Sequence, residues 1–346
     1  MKIDGTLKTM GRTETLPNGN IILIGAASMV QFAFAQKETF EIELKSLNPQ
    51  GKYAYVSIEL DGNYAGRKRI NASNTLLSFS FADTDRQHHL KIYKATEATT
   101  GDVEVIVPKS WQIIRTDAAT FTGKKIEFIG NSITSGMGND LEIPCEKNEE
   151  WYDQHNAYFS YATQLAKELN VDFQLSSVSG IGIYRNWNDE HQLEPVMPEV
   201  YENLYLNNNK AKPYKFDFKP NLISICLGTN DLSDGDGNKK RLPFSAPKFI
   251  DNYVKFIKML YQHNPQTQIV LLNSPMLTGE KRKILDNCLD TVKAAFAEQK
   301  QYKPIQIFHF SNKIVPHGCG YHPDITDDTQ MKDELLEFFK RLIIEN

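Results

Sequence analysis

The chain has 346 residues, about 2.3 times a typical 150-residue domain, so it suits one large α/β domain or two domains. Hydrophobic residues at 40% and charged residues at 24% are ordinary for a globular chain, and 20 Gly with 15 Pro exclude collagen-like and low-complexity readings. The 39 basic and 43 acidic side chains leave a net −4 with no basic block, which excludes the positive footprint of a nucleic-acid backbone binder.

Four cysteines, at 145, 226, 288 and 319, lie far apart with no CxxC pair. Neither a dense disulfide scaffold nor a cysteine zinc site is expected. Residues 21–35, IILIGAASMVQFAFA, form the longest apolar run. It is shorter than the roughly 18–20 residues of a membrane helix. The mixed charges before it (Lys2, Asp4, Lys8, Arg12, Glu14) are unlike the short basic leader of a signal peptide, so no credible signal is read here. Gly25 breaks the run, and Val30, Phe32 and Phe34 then alternate with polar or small residues. Two consecutive strands of a sheet are expected, and no membrane anchor.

Strand patterns continue. ETFEIELK (38–45) alternates, and KYAYVSIEL (52–60) sets Ala54, Val56, Ile58 and Leu60 on one face. Asp61-Gly62 then supplies a hairpin turn. TLLSFSF (75–81), HHLKIYK (88–94), VEVIV (103–107) and WQIIR (111–115) follow. Many short alternating strands predict an all-β sandwich of jelly-roll kind over 1–115.

From about 123 the pattern alternates between strand and helix. Strands are expected at 125–130, 171–178, 221–227, 267–273 and 304–310. Helices are expected at 156–170, 247–263, 280–298 and 327–344, the last capped by Thr326. Residues 206–217 read as an exposed loop. Apolar strands separated by helices predict a three-layer α/β domain with a parallel sheet over 123–346. Sites in such domains lie at the carboxyl ends of strands.

Four segments stand at those ends. Gly130-Asn131-Ser132-Ile133-Thr134 puts a serine on a strand-to-helix turn, where its hydroxyl is presented and its N–H can face an oxyanion. Thr134 stands where a GxSxG elbow has its second glycine. Gly180 lies in SVSGIG, Asn230 in GTND, and His322 in YHP before the last helix. Singly, each suits a cap or a turn; together they line the exits of one sheet.

Ser132, Gly180, Asn230 and His322 follow the block order of the SGNH hydrolase superfamily, which 123–346 resembles. A preceding jelly roll makes the chain similar to carbohydrate esterase family two, as do Gly11-Arg12, SGIGIYRN (179–186) and MPEVY (197–201). The resemblance implies a serine esterase that removes acetyl groups from polysaccharide or oligosaccharide hydroxyls through an acyl-enzyme. Ser132 would be the nucleophile and His322 the general base. The Ser132 and Gly180 N–H groups and the Asn230 amide would form the oxyanion hole. Neither metal nor cofactor is implied.

Two positions depart from the family pattern. Asn131 replaces the aspartate of GDS, and Cys319 and Gly320 occupy the positions where a triad acid stands, three and two residues before the histidine. A Ser–His dyad is therefore expected, with His322 oriented by a main-chain carbonyl in 317–321. Asp324, Asp327 and Asp328 are the alternative orienting acids. Trp187 and Tyr321 are the candidate sugar-stacking residues. The expected partner is an acetylated carbohydrate, with no nucleic acid and no membrane. The function implies secretion or a periplasmic location. A lipolytic SGNH esterase and a non-catalytic glycan-binding protein are the alternatives.

Other candidate sites carry less. Asp234-Gly235-Asp236-Gly237-Asn238 fails the EF-hand spacing at Lys239 and Ser245. His317, Cys319 and His322 suggest a metal cluster, but the serine mechanism needs His322. His88-His89 must face opposite sides of a strand and reads as structural.

Overall fold

The computed structural model describes residues 4–34, 40–80, 87–109, 112–115 and 123–344. The N-terminal strands are β1 (Asp4–Met10), β2 (Thr13–Thr15), β3 (Ile21–Leu23), β4 (Met29–Phe34), β5 (Phe40–Ser46) and β6 (Ala54–Leu60). They continue with β7 (Asn63–Ile70), β8 (Thr75–Phe79), β9 (His88–Lys94), β10 (Val103–Ile106) and β11 (Gln112–Arg115). One sheet runs β11-β1-β4-β9-β6-β7 and the facing sheet β2-β3-β10-β5-β8. Pairing is antiparallel except between β1 and β11. The sandwich core holds Ile21, Val30, Phe32, Ile42, Val56 and Ile92.

The apolar run divides differently from expectation. β3 and β4 belong to opposite sheets, because the chain turns between them at 24–28, where Ala27 takes a left-handed φ of 51°. Residue 35 lies outside the described residues, as do 38–39 of the next expected strand. β1, β2 and β7 were not legible in the sequence. β7 follows the Asp61-Gly62 turn as its hairpin partner, with φ of 50° and 85° at the two turn residues. Most of its residues are exposed, and Arg67, Lys68 and Arg69 are charged, so no apolar alternation marks it.

The second sheet system is parallel. Its strands are β12 (Lys125–Gly130), β13 (Asp172–Ser177), β14 (Leu222–Cys226), β15 (Gln268–Leu272) and β16 (Gln306–Phe308), ordered β13-β12-β14-β15-β16. This is the doubly wound order with its switch point between β12 and β14. The helices are α1 (Ser132–Ser135), α2 (Tyr161–Glu168), α3 (Met197–Val200), α4 (Ala246–His263), α5 (Gly279–Ala294) and α6 (Ile325–Ile344). One apolar cluster joins α4 and α5 to Ile223, Ile225 and Leu271, and another joins α2 and α6 to Phe128, Leu222 and Val270.

Two helix starts differ from expectation. The segment from 156 opens as a 3-10 turn (Ala157–Phe159), and α2 restarts after Ser160, whose Oγ accepts from Thr163 N at 3.4 Å. Asp324, not Thr326, caps α6: its Oδ1 accepts from Asp327 N at 2.8 Å while Asp327 Oδ2 accepts from Asp324 N at 3.0 Å. A carboxylate is the stronger acceptor for those unpaired N–H groups. In the 206–217 loop, Leu206 and Phe216 are buried, and Phe216 stacks on His263 with centroids 3.6 Å apart.

The sandwich lies against edge strand β13. Lys8 Nζ is 3.3 Å from Asp172 Oδ1, Phe173 N points at Met10 Sδ at 3.3 Å, and Arg12 Nε donates to Ser176 Oγ at 3.0 Å. Arg12 is fully buried, and its other nitrogens donate to the carbonyls of Asn203 (2.6 Å) and Tyr201 (3.0 Å). The contact covers backbone that an edge strand would otherwise expose.

Candidate active site

Strand register brings the site together. Gly130 at the end of β12 pairs with Ser177 of β13 and with Cys226 of β14. Three chain segments therefore leave the sheet at one level, carrying Ser132, Gly180 and Asn230. His322 arrives from the far end of the chain, just before α6.

Asn131 caps the short helix α1, its Oδ1 accepting from Ile133 N at 3.1 Å, while its Nδ2 is buried without a partner among the described residues. Ser132 follows, 6% exposed. Its Oγ lies 2.7 Å from His322 Nε2, and His322 Nδ1 lies 2.8 Å from Gly320 O. A carbonyl can only accept, so Nδ1 carries the proton and Nε2 presents its lone pair to the serine hydroxyl. Burial lowers the His322 pKa, against the opposing effect of its backbone acceptor, so the neutral base form persists below the usual histidine range.

The three aspartates are engaged elsewhere. Asp324 and Asp327 close the start of α6, and Asp327 also accepts from His317 N at 2.8 Å. Asp328 accepts from Tyr161 N at 3.1 Å and from Asn139 Nδ2 at 2.9 Å. His317, Asp324 and Asp327 do converge, with ligand atoms within 4.8 Å of one another. Their backbone and side-chain hydrogen bonds account for that arrangement. Cys319 is in a disulfide and is unavailable to a metal.

Among the described residues the Ser132 and Gly180 N–H groups have no protein acceptor. Asn230 Nδ2 donates to Ile181 O at 2.8 Å, which ties the Asn230 loop to the Gly180 loop and leaves the amide a second N–H. Trp187 N donates to Gly180 O at 2.8 Å, placing that tryptophan, 46% exposed, beside the same loop. Tyr321 is 87% exposed next to His322.

Several contacts around the site carried no sequence signal. Glu97, from the sandwich, accepts from Ser179 N at 2.9 and 3.0 Å and from Ser179 Oγ at 2.5 Å, one residue before Gly180. Buried Asp231 accepts from the N–H groups of Ile183, Tyr184 and Arg185, and burial raises its pKa to about 6 against those bonds. Asn139 joins the serine loop to the histidine loop: its O accepts from Ile325 N at 3.1 Å. A disulfide links Cys145 to Cys319, 174 residues apart. Cys226 and Cys288 are buried thiols. His155 is fully buried, neither ring nitrogen has a partner among the described residues, and burial, then His322, lowers its pKa. These residues meet only through folding, so no spacing in the chain marks them.

The GDSL-like Lipase/Acylhydrolase family model matches residues 128–329, more than half of the chain. The chain belongs to this family. Two relatives from Cellvibrio japonicus are each named acetylxylan esterase / glucomannan deacetylase. One is 30% identical over 220 residues, 62% of this chain and 58% of the relative. The other is 24% identical over 337 residues, 96% of this chain and 85% of the relative. The chain thus spans little more than half the length of the first. A structure of a family two carbohydrate esterase from Clostridium thermocellum, in complex with cellohexaose, shares the fold with a TM-score of 0.82 at 22% identity, covering 97% of this chain and 98% of that one. The likeness includes the sandwich as well as the acylhydrolase-family part.

Proposed function

We propose that the protein is a carbohydrate O-acetyl esterase acting through a Ser132–His322 dyad. The observation that carries this reading is the relay Ser132 Oγ, His322 Nε2, His322 Nδ1, Gly320 O, at 2.7 and 2.8 Å. His322 takes the Ser132 proton as Oγ attacks the acetyl carbonyl. The tetrahedral oxyanion is met by the N–H groups of Ser132 and Gly180 and the second N–H of Asn230, each such donor contributing roughly 10²–10³ in turnover. His322 then protonates the departing sugar oxygen. Water, deprotonated by the same imidazole, attacks the acetyl carbon; as the bond to Oγ breaks, the imidazolium returns the proton to Ser132 and acetate leaves.

The relatives named above support an acetylated polysaccharide as substrate. Trp187 and Tyr321, both exposed, would stack on a sugar ring. The disulfide fits a secreted or periplasmic setting, where such bonds persist. Among the described residues no helix is long and apolar enough to cross a membrane.

Hydrolysis of a chromogenic acetate ester tests the reading. Ser132→Ala and His322→Ala should each lower kcat by about 10⁴ or more while leaving the fold intact by circular dichroism. Full activity in the Ser132 variant would sink it. Rates that rise with acyl chain length would point to a lipolytic esterase instead.

A further inference from the structure

The orienting acceptor for His322 is a carbonyl, so its position is set by main chain rather than by a side-chain rotamer. The turn that carries it, 318–321, has few side chains to hold it. Positions 318 and 320 are glycines, and Tyr321 is 87% exposed. Gly320 and Tyr321 both take left-handed φ values, 64° and 62°, a conformation unfavourable for tyrosine. Backbone bonds tie the turn at its ends: Gly318 N to His322 O (2.7 Å), Cys319 N to Gly138 O (2.8 Å) and His322 N to Cys319 O (3.3 Å).

Cys319 is the one side chain in the turn with an anchor, the bond to Cys145. Cys145 sits in the 137–156 loop, itself clamped to the sandwich. Arg67 Nη1 donates to Asp153 O at 2.6 Å and His155 O at 2.9 Å, Tyr53 OH to Asp153 Oδ1 at 2.7 Å, and Ser57 Oγ to Asn156 Oδ1 at 2.7 Å. The disulfide thus connects a fixed platform to the residue next to Gly320. Cys145 is exposed and Cys319 half-buried, so the bond is open to thiols in solution.

We infer that the Cys145–Cys319 disulfide is a positioning element for His322, holding the Gly320 carbonyl where a triad acid would otherwise stand, and that turnover therefore depends on its oxidation state. The inference rests on the Ser132–His322 reading. Reduction by a dithiol transfers two electrons and two protons to the bond: the S–S bond breaks, two thiols form at 145 and 319, and the reductant closes its own disulfide. The Gly320 carbonyl then wanders, and His322 loses its defined tautomer and aim.

The test compares kcat and KM for the chromogenic acetate in the oxidised protein, after dithiothreitol, after reoxidation, and in Cys145→Ser/Cys319→Ser. Alkylation and mass spectrometry should show that only Cys145 and Cys319 have opened. Reduction and the double substitution are expected to lower kcat roughly 10- to 100-fold, short of the ~10⁴ of a wrong tautomer. KM should stay within about twofold and reoxidation should restore kcat. Undiminished kcat in the reduced, folded protein overturns the inference. If Ser132→Ala remains active in the oxidised protein, the dyad reading fails instead, so the two failures are distinguishable.

Discussion

At the scale of single residues, the proposed dyad is a problem in aiming an imidazole without a negative charge behind it. A carboxylate would raise the histidine pKa as well as orient the ring; a carbonyl mainly orients. Burial then lowers the His322 pKa below 6.5 with less to oppose it. The base form is the active one, so lowering the pKa extends activity to more acid pH. The acid limb of kcat/KM for the acetate ester should have its inflexion below 6.5, the ordinary histidine value. An inflexion at or above that value would mean that an unseen charge faces the ring.

At the scale of elements, the proposed oxyanion loop is held by two carboxylates. Asp231 gathers the N–H groups of 183–185, and Glu97 reaches across from the sandwich to Ser179. The Gly180 N–H is therefore aimed partly by the other sheet system. Glu97→Ala should lower kcat by about 10-fold, below the 10²–10³ of a lost donor, with KM little changed. Glu97→Gln retains an acceptor oxygen for Ser179 and should recover most of the rate. A fall in melting temperature with kcat unaltered in Glu97→Ala would reduce its role to packing. The helix starts teach a related lesson. Thr326 and Asp324 are both good caps by type, and only the path of the chain into α6 decided between them.

At the scale of the whole molecule, a buried carboxylate ties the sandwich to the helix α2 of the other sheet system. Glu59 on β6 is buried and receives Lys91 Nζ (2.7 Å), Lys167 Nζ of α2 (2.8 Å) and Tyr158 OH (2.9 Å). Burial alone would raise its pKa, but Lys167 and Lys91 outweigh this and lower it to about 2. A depressed carboxylate contributes stability above its unfolded pKa and loses it as pH falls toward the folded value. Glu59→Gln should cost on the order of 1–3 kcal/mol in urea unfolding at pH 7, a difference that shrinks between about pH 4.5 and 2. A pH-independent difference would show that the charge is not what joins the parts.

The sequence by itself determined the sandwich and the parallel sheet, and it pointed to four candidate residues at the strand exits. Those features are local: alternation, apolar strand runs, and Ser, Gly, Asn and His at strand exits. It missed β7 because a hairpin strand lined with charge has no apolar period. It wrongly put the 21–23 and 29–34 strands side by side in one sheet, since alternation says which face is buried and not which neighbour is paired. The lack of an acid at 319 and 320 pointed to a carbonyl in 317–321 as what orients His322, with Asp324, Asp327 and Asp328 as alternatives. Only the tertiary structure selects Gly320, reveals the bond from Cys319 to Cys145, and brings Glu97 to Ser179. These contacts join positions 82 to 174 residues apart or depend on the exact turn of the chain, and no spacing along a sequence encodes the distance between two segments that meet only when the protein folds.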